Sequence, residues 1–325
     1  MDEFTRALMV AQTLLETAAA SGEGIPRETI EAKVREVLSY DVRWKAVDPD
    51  RLVRELEARF SIWIGDSKSL EEKGDHLPWL VAERREGWRL WNRYRQFLTP
   101  KLPPASVDQL DRSTDRVLGL LEDPQRSGSW DRRGLVVGHV QSGKTSHYTG
   151  LICKAADAGY RVIIVLAGLH DNLRSQTQMR LDEGFLGRET EPGAEDKRIG
   201  VGIIDPQVVP YYLTNRTNRG DFSRAMANNF GVNPPDKPTL FVVKKNKSIL
   251  SNLLTWIGRA APPRPDGSSV IDEVPVLVID DEADQASVDT KEQTFDGDGQ
   301  PDPDYDPTQI VSFRQACVTP APTPR

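Results

Sequence analysis

The chain is expected to fold as α/β, with a parallel sheet flanked by helices and an all-helical region in front of it. Three observations predict this. Up to about residue 130 the apolar residues recur at helical spacing. From Gly134 onward, short β-branched runs alternate with helical stretches. Those runs are apolar throughout, as strands buried on both faces of a parallel sheet are. The expected limits are a helical region over 1–130, an α/β domain over 131–290 and an acidic, Pro/Gly-rich tail over 291–325 that is expected to be disordered.

The helical region reads as successive segments. LMVAQTLLETAAA carries apolar residues at three-and-four spacing. Pro26 opens a second helix, with Arg27 to Leu38 carrying it. DPDRLVRELEARF is a third, with Asp48 or Asp50 as its cap. Trp79 to Leu98 forms a fourth, in which Trp88, Trp91 and Tyr94 share one face. With Arg95 nearby, that stripe suits either base stacking or a helical core. TPKLPP, residues 99–104, is a linker, and SVDQLDRSTDRVLGLLED is one more helix.

The expected strands are GLVVG, YRVIIVLAG, RIGVGIID, TLFVVKK and VPVLVID. Beyond them, KEQTFDGDGQPDPDYDPT gathers aspartates, but not at the spacing of a calcium loop, and no closing glutamate follows.

With 325 residues the chain can bury a core without disulfide or metal staples. Its net charge of -7 does not advertise nucleic-acid binding, although a basic groove can sit on an acidic protein. The 2 cysteines, Cys153 and Cys317, form no CxxC pair, which points to a reducing, cytoplasmic setting. No apolar run approaches the roughly 18 residues of a membrane span.

Chemistry enters at residues 136–148, VVGHVQSGKTSHY. Gly138-x-x-x-x-Gly143-Lys144-Thr145 fits the phosphate-loop pattern. The glycines let backbone amides wrap around phosphate oxygens, and the helix starting near Lys144 turns its positive end to the same anion. Lys144 is a mobile charge for the β and γ phosphates, and Thr145 is a magnesium ligand. Gly138, His139, Gln141, Ser142 and Gly143 line the nucleotide, with Gln141 near the γ-phosphate. Strand, loop and helix follow in the required order, with Gly159 stopping the helix.

A second element is VPVLVIDDEADQAS, an apolar strand ending in Asp280, Asp281 and Glu282. Carboxylates at the carboxyl end of a buried strand sit where α/β proteins bind ligands. Asp281 is assigned to magnesium, with Asp280 as its competitor, and Glu282 to the attacking water. Lys144 and Glu282 are thus the expected catalytic pair, with ATP and Mg²⁺ as cofactors.

Phosphate loop and DEAD tetrapeptide together resemble the first motor domain of superfamily-two helicases, a P-loop NTPase fold. The flanks, VVGHVQSGKTSHYTGLICKAADAGYRVIIVLAGLHDNLRSQTQMRLDEGFLG and LVIDDEADQAS, are similar to the endonuclease family built on the Z-one domain. The resemblance covers about residues 75–290. It implies an ATPase acting on DNA in bacterial restriction or phage-defence operons, beside GHKL-type ATPases and nuclease-like partners. It implies a DNA-gripping motif after the second strand, where Arg174, Gln176 and Arg180 stand, and a second backbone contact at Lys244 and Lys245. It also implies a second motor lobe beginning at a Thr-Ala-Thr-Pro segment. This chain instead ends VTPAPTPR, so an incomplete or split motor is expected. No nuclease constellation is legible: Glu31-Ala32-Lys33 lies in a helix, and the 4 histidines are scattered. Alternatives are a nucleotide-binding interaction module with negligible turnover, or an endonuclease subunit whose nuclease site is not visible in this sequence.

Overall fold

A computed structural model of the chain describes residues 3–19, 25, 27–60, 76–128, 130–137, 143–194, 196–223, 225, 237–260 and 274–283. Three helices open it: α1 (Glu3–Ala19), α2 (Arg27–Leu38) and α3 (Pro49–Phe60). Of the two aspartates that could cap α3, Asp48 does so. Its Oδ1 accepts the N–H groups of Asp50 at 3.0 Å and Arg51 at 3.2 Å. The apolar stripes of these helices meet in a cluster of their own, built on Leu8, Leu15, Ile30, Val34, Leu52 and Leu56. Trp44, from a 3-10 turn over Val42–Ala46, joins it. Glu31 and Lys33 pair along the surface of α2 with Arg27 and Glu36, which leaves them no nuclease-like geometry.

The helix expected over 79–98 is broken. Ala82–Arg85 makes one 3-10 turn, Gly87 takes φ +76, and only Arg89–Leu98 (α4) is α-helical. The start of α4 is fixed from a distance. The Asp157 carboxylate accepts the N–H groups of Leu90 at 3.1 Å and Trp91 at 2.8 Å. Helix α5 (Pro104–Leu120) follows, with Pro104 in its first turn. The aromatic stripe is core, not a stacking platform: Trp88, Trp91 and Tyr94 are 5%, 5% and 3% exposed. They share one apolar cluster with Leu110 and Leu118 of α5 and with the sheet. The residues ahead of 130 therefore divide between two cores.

Helix α6 (Lys144–Ala158) packs on both α4 and α5. A buried lysine ties it to α5. Lys154 Nζ donates to Asp111 Oδ1 at 2.5 Å and Asp115 Oδ1 at 2.6 Å, and lies 4.2 Å from the centre of the Trp91 ring. Gly159 ends α6 at φ +124, in a conformation that side chains rarely adopt.

The sheet is 4-stranded and parallel, in the order β2-β3-β1-β4. Its strands are β1 (Val162–Ala167), β2 (Tyr211–Tyr212), β3 (Thr239–Val243) and β4 (Val276–Asp281). Helix α7 (Asp171–Leu181) leaves β1, and α9 (Lys247–Ala260) leads from β3 towards β4. Strands β1 and β3 are buried along their whole length, as all-apolar strands predict, whereas β4 is half-buried at the edge.

Two expected strands are not strands. Leu135, Val136 and Val137 are 79%, 55% and 85% exposed and pair with nothing in the sheet. A three-residue apolar run gains little from extension without a ladder partner. Arg198 to Asp205 instead forms a bridge at Arg198 and a short helix, α8 (Val201–Ile204). Its glycines explain this. A Cβ on Gly202 would lie 1.8 Å from the Gly187 carbonyl oxygen, and one on Gly200 2.1 Å from that of Glu183. Backbone packs on backbone there, which the apolar pattern did not signal. The expected tail, 291–325, lies outside the described residues.

Candidate functional site

In a parallel sheet every strand ends on the same side, so the loops after β1, β3 and β4 converge. Helix α6 runs into β1 through a short turn, which brings its first residue back to that same side. Gly143 precedes it as N-cap with φ 71 and ψ 22. That left-handed conformation favours glycine and turns the chain so that the helix opens at Lys144. Lys144 is exposed, and its N-terminal position gives it the helix's free amides and positive dipole end as neighbours. Gly138, His139, Gln141 and Ser142 lie outside the described residues.

Thr145 sits in the first turn of α6. Its hydroxyl accepts a hydrogen bond from Arg180 Nη1 of α7 at 2.8 Å. Three residues on, Tyr148 lies on the same face of the helix and is 7% exposed. Burial raises its hydroxyl above the ordinary tyrosine range, the Asp281 carboxylate adds to the rise, and the Thr145 and Thr177 hydroxyls oppose it. Thr145 of α6, Thr177 of α7 and Asp281 of β4 therefore face one phenol. That hydroxyl makes no hydrogen bond of good geometry among the described residues, although all three groups lie near it. The start of α6 and the end of β4 thus both lie near Tyr148, although they are far apart in sequence.

The end of β4 separates its two aspartates. Residues alternate between faces along a strand, so Asp280 and Asp281 point apart. Asp280 Oδ1 is taken by Lys245 Nζ at 2.7 Å. The same ammonium donates to the Glu282 carbonyl oxygen at 2.6 Å, and the Lys245 side chain is fully buried. Glu282 has φ 53, the positive-φ exception among the described non-glycine residues. Its own N–H donates to Asp281 Oδ1 at 3.0 Å. A strained glutamate at a strand end, clamped by a buried lysine, is the kind of backbone outlier that clusters at functional sites. The clamp thus takes one oxygen of Asp280, whereas Asp281 lies near the Tyr148 phenol.

Two residues expected to touch nucleic acid do not have the access. Arg174 is fully buried, donating to the carbonyl oxygens of Asn215, at 2.8 Å, and Thr217, with Asp221 at 3.9 Å. Burial lowers its guanidinium from the usual arginine value. Lys245 is the buried clamp just described. The resemblance implies a nucleic-acid contact for both, but acceptors far along the chain bury them. Lys244 is ion-paired to Asp171 Oδ1 at 2.7 Å. Gln176 is exposed on α7. Arg180, also exposed, donates to Thr145 at the start of α6. Sequence reasoning missed Tyr148, although its spacing from Thr145 was legible, and missed Lys245 as a clamp, for which no local signal exists.

Among the described residues no group of three or more His, Cys, Asp or Glu side chains is placed to hold a metal. A phosphate-loop cation needs no such group, since phosphate and water oxygens complete its shell around one hydroxyl and one carboxylate. Among the same residues no helix is long and apolar enough to cross a membrane. Compared with protein-family models, with curated proteins and with solved structures, the chain matches none.

Proposed function

We propose that this chain is an ATP-binding, magnesium-dependent ATPase lobe of helicase-like, P-loop type that acts on DNA. The observation that carries the reading is the convergence of Thr145 and Asp281 on the Tyr148 hydroxyl, although the two lie far apart in sequence. The residues fit the cofactor. A hydroxyl and a carboxylate are hard oxygen donors of the kind magnesium takes, and a left-handed glycine before a helix N-terminus suits a polyphosphate. Magnesium, when bound, would withdraw charge from the terminal phosphates.

The chain's own residues supply the rest. Lys144 brings a positive charge to the β and γ phosphates, and the free N–H groups of the first turn of α6 bind their oxygens. Thr145 and Asp281 hold the cation. Arg180 adds a second positive charge beside Thr145. Glu282, held by Lys245 through its carbonyl, orients the attacking water and accepts its proton. The DNA reading rests on the helicase-like motif pair, and the restriction or phage-defence setting with its GHKL-type and nuclease-like partners rests on the resemblance to the Z-one family.

A second reading has its own observation. Leu135 to Val137, which lead into the loop, lie exposed and outside the sheet. Without a buried strand ahead of Lys144, a module that binds nucleotide with negligible turnover is the favoured alternative.

Nucleotide binding and phosphate release by the purified chain, with and without DNA, test both. On the ATPase reading, Lys144→Ala loses nucleotide binding, while Glu282→Gln keeps binding and loses hydrolysis, each by at least about a hundredfold. Hydrolysis that survives in either variant refutes the assignment. Binding without release in the parent chain selects the module.

A further inference from the structure

We propose that the Tyr148 hydroxyl is part of the cation–nucleotide site, donating its hydrogen bond to an oxygen that arrives with the hydrated divalent cation of a nucleoside triphosphate. The inference deepens the ATPase reading and rests on it.

A phenol hydroxyl buried among protein atoms ordinarily finds a partner, because leaving it unpaired costs stability. Tyr148 breaks that rule. Its ring packs from α6 into the apolar core, it is 7% exposed, and its oxygen makes no hydrogen bond of good geometry among the described residues. The setting is not apolar, which would make the hydroxyl a packing defect. Thr145, Thr177 and Asp281 surround it, each able to accept or to ligate. Thr145 already receives Arg180, and Asp281 already receives the Glu282 N–H. A group left unsatisfied beside partly committed acceptors is poised for an atom that comes from outside.

Helical spacing explains why this residue is placed to do so. Thr145 and Tyr148 are three apart on α6, so the hydroxyl that is to ligate the cation and the phenol that is to meet its shell share one face. Asp281 closes the site from the last position of β4. The oxygen the phenol meets is one of those that fill a magnesium shell around protein ligands, water or phosphate. Removing the hydroxyl should therefore help the empty protein and harm the loaded one, an opposition that a purely structural tyrosine would not produce.

The experiment compares the parent chain with Tyr148→Phe in two measurements. One is the thermal midpoint without nucleotide or metal. The other is ATP affinity in magnesium and in EDTA. The expected midpoint of Tyr148→Phe is unchanged or higher, by up to roughly 2–4 °C, since an unpaired buried hydroxyl is removed. Its affinity for ATP in magnesium falls about tenfold, while its affinity in EDTA stays at the parent's value. A lower midpoint in the absence of ligand means that the hydroxyl has a structural partner, and overturns the proposal. So does a magnesium effect on affinity equal to the parent's. If the parent chain itself binds no ATP in either condition, the ATPase reading falls and this inference falls with it. If the parent binds normally and only the variant comparison fails, the ATPase reading stands and Tyr148 is structural.

Discussion

His147 and Lys154 put two nitrogen bases into one interior, two turns of α6 apart. Only the lysine is answered by carboxylates, Asp111 and Asp115. His147, 7% exposed, is pushed down to about 4, by burial first and by the Lys154 charge second. Its folded value therefore lies below its unfolded one. Between pH 6.5 and 4 the unfolded chain takes up a proton that the folded chain refuses, so this residue makes stability fall as pH falls. Asp157 acts in the opposite sense. Burial pushes it up to about 6 against the pull of the backbone N–H groups of α4, so its contribution grows as pH falls below 6. The two partly cancel in the parent chain. In His147→Gln the histidine's part is gone and that of Asp157 remains. Relative to the parent, the variant should gain about 2 kcal/mol on going from pH 8 to pH 5. Urea unfolding at the two pH values measures the difference, and equal shifts in both proteins would contradict the assigned burial.

The elements whose sequence pattern succeeded carried that pattern along their whole length. Helices α1, α2 and α3 follow their apolar spacing, and β1, β3 and β4 follow their all-apolar runs. The elements that departed were decided by contacts far along the chain. Helix α4 begins where Asp157 caps it. The run Leu135–Val137 reads as a strand but has no ladder neighbour. The segment RIGVGIID reads as a strand and is bent into α8 by the close approach of Gly200 and Gly202 to residues 183–187. Much the same holds at the site. Lys144, Thr145 and Asp281 stand out in the sequence because the proposed chemistry needs those residue types in that order, whereas the burial of Arg174 and Lys245 depends on carbonyls and carboxylates that no window of sequence contains. The glycine contact carries its own expectation. Gly202→Ala forces a methyl to within 1.8 Å of a backbone oxygen and should cost about 3 kcal/mol or more. Gly134→Ala meets nothing within 4 Å at a position without positive φ, and should leave the urea midpoint nearly unchanged. Equal midpoints for the two variants would mean that the 187–202 contact relaxes at little cost.

At the scale of the whole molecule, three apolar clusters in two groups set how the chain opens. One holds α1 to α3; another, built on α4, α5, α6 and one face of the sheet, continues through β1 and β3 into the cluster on the other face. The first spans only residues 7–56, and a core of that size is marginal by surface-to-volume scaling. The second carries Lys144, Thr145 and β4, and so should take up any stabilisation that a ligand of the proposed site confers. Native-state hydrogen exchange in low urea separates the two. Amides of α1, α2 and α3 should exchange through an opening of lower free energy than amides of β1 and β3, and the two groups should not merge onto one isotherm. Saturating ATP with magnesium should then raise protection in α6, β1 and β4 by about 2–3 kcal/mol at a hundredfold excess over the dissociation constant, and leave α1 to α3 where they were. If all these amides shift together, the two groups unfold as one unit. The helices ahead of the α/β core then feel the nucleotide through the fold, and the loop's occupancy is transmitted along the chain rather than confined to the sheet.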